Sequence, residues 1–64
     1  MFFIQAKVAP NIWIPIDELS SELAEFQFGY PSIIEASKAK GKIKNYLKAY
    51  DPKNKVPIRI IKME

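Results

Sequence analysis

Histidine and cysteine, which most often serve as bases, nucleophiles and metal ligands, are both absent from this 64-residue chain. Catalysis would therefore depend on carboxylates, hydroxyls and lysines held in a dry pocket. A domain this small has little volume for such a pocket, and neither Gly29 nor Gly41 belongs to a phosphate-binding motif. The sequence predicts a protein that has no catalytic residues, no metal ligands and no cofactor.

Carboxylates are concentrated in the first half of the chain, at Asp17, Glu18, Glu22 and Glu25. If this segment is helical, Glu22 and Glu25 lie one turn apart and could hold a cation weakly, but the spacing does not match an EF-hand loop. We favour an acidic surface exposed to solvent.

Lysines are concentrated in the second half. Those that would contact phosphates are Lys38, Lys40, Lys42, Lys44 and Lys48. At 100° per residue they spread around the polar half of a helix, as on an ordinary solvated surface. Lysine also lacks the planar fork that recognises guanine, and the chain has one arginine, Arg59. Sequence-tolerant nucleic-acid binding is therefore an alternative function.

Three segments have the alternation of a half-buried β-strand: residues 2–8, 12–16 and 56–62. The break at residues 9–11 predicts that the first two form a hairpin. The side chains expected to face the core are Phe2, Ile4, Ala6, Val8, Ile12, Ile14, Ile16, Val56, Ile58 and Ile60.

A helix is predicted between the second and third strands. Ser32 and Glu35 fit a capping box at its start. Apolar residues then recur at helical spacing, at Ile33, Ala36, Ala39, Ile43, Leu47 and Tyr50. The turn Asp51-Pro52-Lys53-Asn54 ends the helix, because the residue before a proline is disfavoured in helical conformation.

Two prolines indicate the order of the strands. Proline removes a donor from the ladder and is confined to edge strands, strand starts and bulges, so Pro15 and Pro57 place the second and third strands at the edges. The prediction is a single α+β domain over residues 1–64, with a three-stranded antiparallel sheet in the order 2-1-3 and one main helix on one face.

Residues 17–30 allow two interpretations. Leu19, Leu23 and Phe26 share one side of a short helix, whereas Phe26, Phe28 and Tyr30 alternate as they would in a strand. We favour a short helix or turn followed by an extended segment.

The sheet face that points away from the helix is the candidate binding surface. Exposed aromatic side chains ringed by polar groups are typical of interaction surfaces. The predicted partner-binding residues are Phe3, Lys7, Trp13, Arg59 and Ile61. In the other interpretation, residues 17–30 fold back and bury this face. The Lys/Arg-Gly-aromatic signature of RNA-recognition sheets is absent from the sequence.

The layout resembles a group of small phage-encoded early proteins with a tryptophan in the second strand, a capped helix and a final basic strand. The matching segments are Ile12-Trp13-Ile14-Pro15-Ile16, Ser32-Ile33-Ile34-Glu35-Ala36 and Ile58-Arg59-Ile60-Ile61-Lys62. The resemblance implies an interaction protein that binds and inhibits a host enzyme, such as RNA polymerase, a nuclease or a component of a defence system.

Taken together, these features predict a non-catalytic protein-binding module. The alternatives are nucleic-acid binding through the lysine-rich helix and a self-associating structural protein, for example a homodimer. The apolar runs are shorter than the roughly 20 residues that cross a bilayer, and the start of the chain lacks a basic leader. With no cysteine in the chain, we expect a cytoplasmic location, which is the host cytoplasm if the protein is viral.

Overall fold

A three-stranded antiparallel sheet forms one layer of the computed structural model, which describes residues 1–53 and 55–63. Its strands are β1 (Phe2–Ala9), β2 (Ile12–Pro15) and β3 (Ile58–Lys62), in the order β2-β1-β3. Between β2 and β3 the chain forms α1 (Ile16–Leu19), a 3₁₀ helix (Ser21–Phe26) and α2 (Ile33–Tyr50). The predicted α+β class and strand order are confirmed.

The β1–β2 hairpin turns through Pro10 and Asn11. Asn11 has a φ of 63°. A type II turn requires a positive φ at its third residue and often has a proline at its second, which is the order of Pro10 and Asn11. The register shifts between Lys7 and Ala9. This irregularity turns Val8 away from the core, so the prediction that Val8 faces the core is wrong; its side chain is 49% exposed.

The second strand is shorter than predicted, because the chain leaves the sheet after Pro15. Ile16 is the first residue of α1, and its side chain is completely buried. Ile12, beside the turn, is exposed and does not join the core as predicted. The third strand begins at Ile58 instead of residue 56.

The short helix predicted within residues 17–30 is confirmed by α1 and the 3₁₀ helix, but β pairing after it is limited to Tyr30, because Gln27 has helical dihedrals and Phe28 lies in a bend. Ser20 caps the 3₁₀ helix by accepting a hydrogen bond from the Glu22 N–H at 3.3 Å. Tyr30 then pairs with Phe2, and each N–H donates to the other residue's carbonyl at 2.8 Å. Tyr30 thus pairs with β1 along the same edge as β2, beyond the point where β2 ends.

Helix α2 begins at the predicted cap, where the Ser32 Oγ accepts a hydrogen bond from the Glu35 N–H at 3.2 Å. Ile33 and Tyr50 were predicted to face the core but are exposed, because they are the first and last residues of the helix. The predicted turn after the helix is described as far as Lys53, and Asn54 lies outside the described residues. Within residues 1–53 and 55–63, no helix is both long and apolar enough to cross a membrane.

The core lies between one face of the sheet and all three helices. Its buried side chains are Ile4, Ala6, Ile16, Leu23, Ala39, Ile43 and Ile58. Leu19, Phe26 and Tyr30 are partly buried and pack against the same cluster. The segment from residue 16 to residue 30 therefore covers the same face of the sheet as α2.

A side-chain hydrogen bond links the 3₁₀ helix to α2, with the Tyr46 hydroxyl donating to Glu22 Oε2. This bond is the main reason why the pKa of Tyr46 is raised, because the carboxylate acceptor favours the protonated phenol. Tyr46 also stacks on Tyr50, with ring centroids 5.9 Å apart. The bond connects two helices that cover the same face of the sheet.

Deleting buried methyl groups from the sheet or the helix should destabilise the domain. We expect Ile4→Ala and Ile43→Ala each to lower the free energy of unfolding by about 2–5 kcal/mol, because each leaves a cavity in the one core. Urea denaturation followed by circular dichroism measures the effect. Ile34→Ala is the matched control, since this α2 side chain is 66% exposed. Equal stability of the control and either core variant would contradict the assigned core.

The Tyr46–Glu22 bond should make stability depend on alkaline pH. The folded pKa of Tyr46 is raised above its unfolded value, so its contribution is complete below about pH 10 and is lost as pH rises through the folded pKa. Urea unfolding between neutral pH and about pH 11 should show a steeper alkaline loss for the natural protein than for Tyr46→Phe. Parallel curves would show that the bond does not contribute.

Candidate protein-binding site

The sheet face opposite the core carries all five predicted partner-binding residues, and we call it the open sheet face. Its members on the strands are Phe3, Gln5, Lys7, Trp13, Arg59 and Ile61. None of its apolar members belongs to the core cluster or packs against it. The cross-strand pairs on this face are Lys7 with Trp13, Gln5 with Arg59 and Phe3 with Ile61.

Arg59 reaches across the sheet to Trp13. Its Nε and Nη2 donate hydrogen bonds to Gln5 Oε1 at 2.9 and 2.7 Å. Its Cζ lies 4.2 Å from the centroid of the Trp13 ring, although β1 separates the two residues' strands. Two strand spacings amount to about 10 Å, a distance that a long arginine side chain can cover. Gln5 therefore holds the guanidinium over the indole.

The open sheet face is positively charged around Trp13. Lys7 Nζ lies 5.9 Å from the centroid of the same ring, so two cations stand beside one indole. Each such contact at an exposed site contributes about 0.5–1 kcal/mol. The sequences of the three strands contain no aspartate or glutamate. The strands themselves supply no carboxylate to balance these cations.

The other end of this face is apolar. Phe3 lies opposite Ile61, and the pairing continues to Met1 and Met63, where the Met63 N–H donates to the Met1 carbonyl at 2.9 Å. Met1 and Met63 are each more than half exposed. Gly29 lies beside Phe3: a Cβ at this position would lie 2.8 Å from Phe3 Cζ. The missing side chain leaves room for the phenylalanine ring.

The interpretation in which residues 17–30 bury the open sheet face is wrong. Leu19, Leu23 and Phe26, the side chains that would have covered it, pack into the core on the opposite face. Phe28 is 69% exposed. Gly29 is the residue of this segment that approaches the open sheet face, beside Phe3 and Met1.

The lysines of α2 do not form one surface. Lys38 and Lys42 border a groove with Phe26 and Tyr30. Lys44 and Lys48 border a separate groove with Asp51, Pro52 and Val56, and the two grooves share no residue. Lys40 is half-buried, unlike the other four.

Sequence reasoning did not place Gly29, Met1 and Met63 at this site or find the role of Gln5. Continuing the alternation past the ends of the strands would have added the two methionines to the open sheet face. Gly29 and the bonds from Arg59 to Gln5 depend on contacts between distant segments, for which the sequence carries no local signal.

The acidic cluster does not assemble into a metal site. In the part of the chain that the structure describes, no group of three or more potential metal ligands lies close together. Glu22 instead accepts the hydrogen bond from Tyr46.

Burial, with a smaller contribution from Glu25, raises the pKa of the Tyr30 phenol.

The fold and the open sheet face define a small α+β domain with one covered and one uncovered sheet surface. No protein-family model, curated protein or solved structure matches this chain. The support for a function therefore comes from the geometry of the site.

Removing the arginine should uncover the indole. Trp13 is the only tryptophan, so its fluorescence reports on this site alone. We expect Arg59→Ala to increase quenching by acrylamide and to lower the free energy of unfolding by no more than about 1 kcal/mol. Lys62→Ala is the matched control, because Lys62 is a cation on the same strand whose side chain alternates to the opposite face. Unchanged quenching in Arg59→Ala would mean that the guanidinium does not cover the ring in solution.

Proposed function

We propose that this protein is a non-catalytic protein-binding module that contacts its partner through the open sheet face. The observation that carries the proposal is Trp13 lying under a guanidinium that Gln5 already holds in place. Tryptophan and arginine are the residues most enriched at the energetic centres of protein interfaces. Ordering them before binding reduces the entropy that association costs.

The size of the molecule is compatible with such an interface. Its accessible surface is 4692 Å², and a stable protein complex buries about 800 Å² on each partner. An interface of this size would cover about a sixth of the surface.

The titratable groups support a role without catalysis. The phenols of Tyr30 and Tyr46 have raised pKa values and stay protonated at neutral pH, where neither acts as a base. The chain has no histidine or cysteine to take that role.

The resemblance to small phage-encoded proteins supports a particular form of this function, the inhibition or modulation of a host protein in the host cytoplasm. Nucleic-acid binding through the α2 lysines has less support, because these side chains border two separate grooves. Self-association through the open sheet face would bring the Arg59 and Lys7 cations of two copies to the same interface, which like charges oppose.

Truncating the tryptophan should weaken binding and leave the fold intact. We expect Trp13→Ala to reduce the affinity for a protein captured from host lysate by at least about 2 kcal/mol, as for a desolvated aromatic anchor. Capture is performed with and without nuclease, affinity is measured by calorimetry, and circular dichroism checks the fold. Tyr50→Ala is the matched control, since Tyr50 is an aromatic residue that is 76% exposed on α2.

Other outcomes identify the alternatives. Capture that nuclease abolishes, and that is lost on replacing Lys38, Lys42 and Lys44, would establish nucleic-acid binding in place of protein binding. If Trp13→Ala does not fold, Arg59→Ala tests the same surface, because Arg59 is exposed. Capture that is indifferent to both variants would overturn the proposal.

A further inference from the structure

The open sheet face has two chemically different ends. At one end Arg59, Lys7 and Gln5 surround Trp13. At the other end lie the apolar side chains of Met1, Phe3, Ile61 and Met63. A partner that fits the whole face must therefore be anionic at one point and apolar at another.

Arg59 is arranged to accept one carboxylate. A guanidinium has five N–H donors, and two of them bind Gln5 Oε1. Within residues 1–53 and 55–63, the other donors have no acceptor. Arginine and carboxylate groups pair through two parallel hydrogen bonds, and Lys7 adds a second positive charge nearby.

The spacing of the two ends matches an extended peptide. Arg59 and Ile61 are two residues apart on one strand, which is about 7 Å. Side chains at positions i and i+2 of an extended segment have the same separation and point to the same side. A peptide with an acidic residue two positions from a large apolar residue can therefore occupy both ends at once.

The same geometry disfavours a nucleic-acid strand. Nucleic acids carry a phosphate at every nucleotide, at intervals of about 3.4 Å along each strand of a duplex. A strand following the face from Arg59 towards Met63 would set most of its phosphates against the apolar side chains of Phe3, Ile61 and the two methionines, and the Met1 ammonium at this end already donates to the Met63 carbonyl at 3.0 Å. The Trp13 ring is also partly covered by the guanidinium, which hinders the stacking of a base on that side.

We infer that the occupant of the open sheet face is an extended protein segment that presents a carboxylate to Arg59 and a large apolar side chain to Phe3 and Ile61. This inference rests on the proposed function and specifies the chemistry of the partner. The charge of the strands supports it, because β1 and β3 contribute Lys7 and Arg59 to this face and none of the three strands contains an acidic residue.

The test is a titration of the full chain with defined peptides, followed by the fluorescence of Trp13. The probes are four capped peptides of eight residues: one with glutamate two positions from leucine, one with that glutamate changed to glutamine, one with the leucine changed to serine, and one with both changes. Oligothymidine of the same charge is a fifth probe, and sedimentation of the protein alone reports self-association.

We expect the acidic, apolar peptide to bind about tenfold or more tightly than its glutamine counterpart. Arg59→Ala should remove that difference, whereas Lys62→Ala should preserve it. Changing the leucine to serine should weaken binding of the natural protein, and Ile61→Ser should make this loss smaller, because Ile61 is the apolar residue two positions from Arg59. Such a double-mutant cycle assigns each peptide group to its end of the face.

Several results would overturn the inference. Two concern the peptides: equal binding of the glutamate and glutamine peptides, or no saturation by the acidic peptide up to millimolar concentration. Two concern other occupants: oligothymidine binding more tightly than the acidic peptide, or a dimer of the protein that Arg59→Ala dissociates. Failure of the peptides while Trp13 remains necessary for capture of a host protein would reject the partner chemistry and leave the proposed function standing. Loss of both would reject the two together.

Discussion

The short chain forms enough helix to cover one face of its sheet, and the rest of the molecule depends on which face that is. Helix α1, the 3₁₀ helix and α2 all bring apolar side chains to the face that carries Ile4, Ala6 and Ile58. A domain of about 60 residues buries about 60% of the surface that its unfolded chain exposes, a smaller share than larger domains bury, and it has too few apolar residues for two cores. Concentrating them on one side produces one dry core, and it leaves the second face of the sheet without a helix over it, where Phe3, Trp13 and Ile61 are half-buried.

An uncovered sheet face needs its own way to keep aromatic side chains in water. Here the indole of Trp13 lies under the cation of Arg59, and the hydrogen bonds to Gln5 satisfy part of the guanidinium. The guanidinium covers part of the half-buried indole, while Arg59 itself remains exposed. The arrangement stabilises the free protein modestly, and it also orders the two side chains that a partner would contact.

Acidic and basic residues lie mostly on different elements of the fold. The carboxylates of residues 17–25 lie on α1 and the 3₁₀ helix, whereas β1, β3 and α2 carry most of the cations. Glu22 contributes to the fold through its bond with Tyr46, so the acidic segment is partly structural. The acidic residues of this segment lie on helices that cover the other face of the sheet. The three strands contain no carboxylate, so none of their own residues balances the positive charge of the open sheet face.

The sequence by itself determined the elements and their order. Two-residue alternation predicted the strands. Ser32 and Asp51-Pro52 predicted where α2 begins and ends. The positions of Pro15 and Pro57 predicted that β1 is the central strand. The sequence could not decide on which side of the sheet residues 17–30 lie, because Leu19, Leu23 and Phe26 could pack on either face. Only the tertiary structure brought Arg59 to Trp13, since a contact across an intervening strand depends on the register of both pairings, and register is set by packing of the whole core.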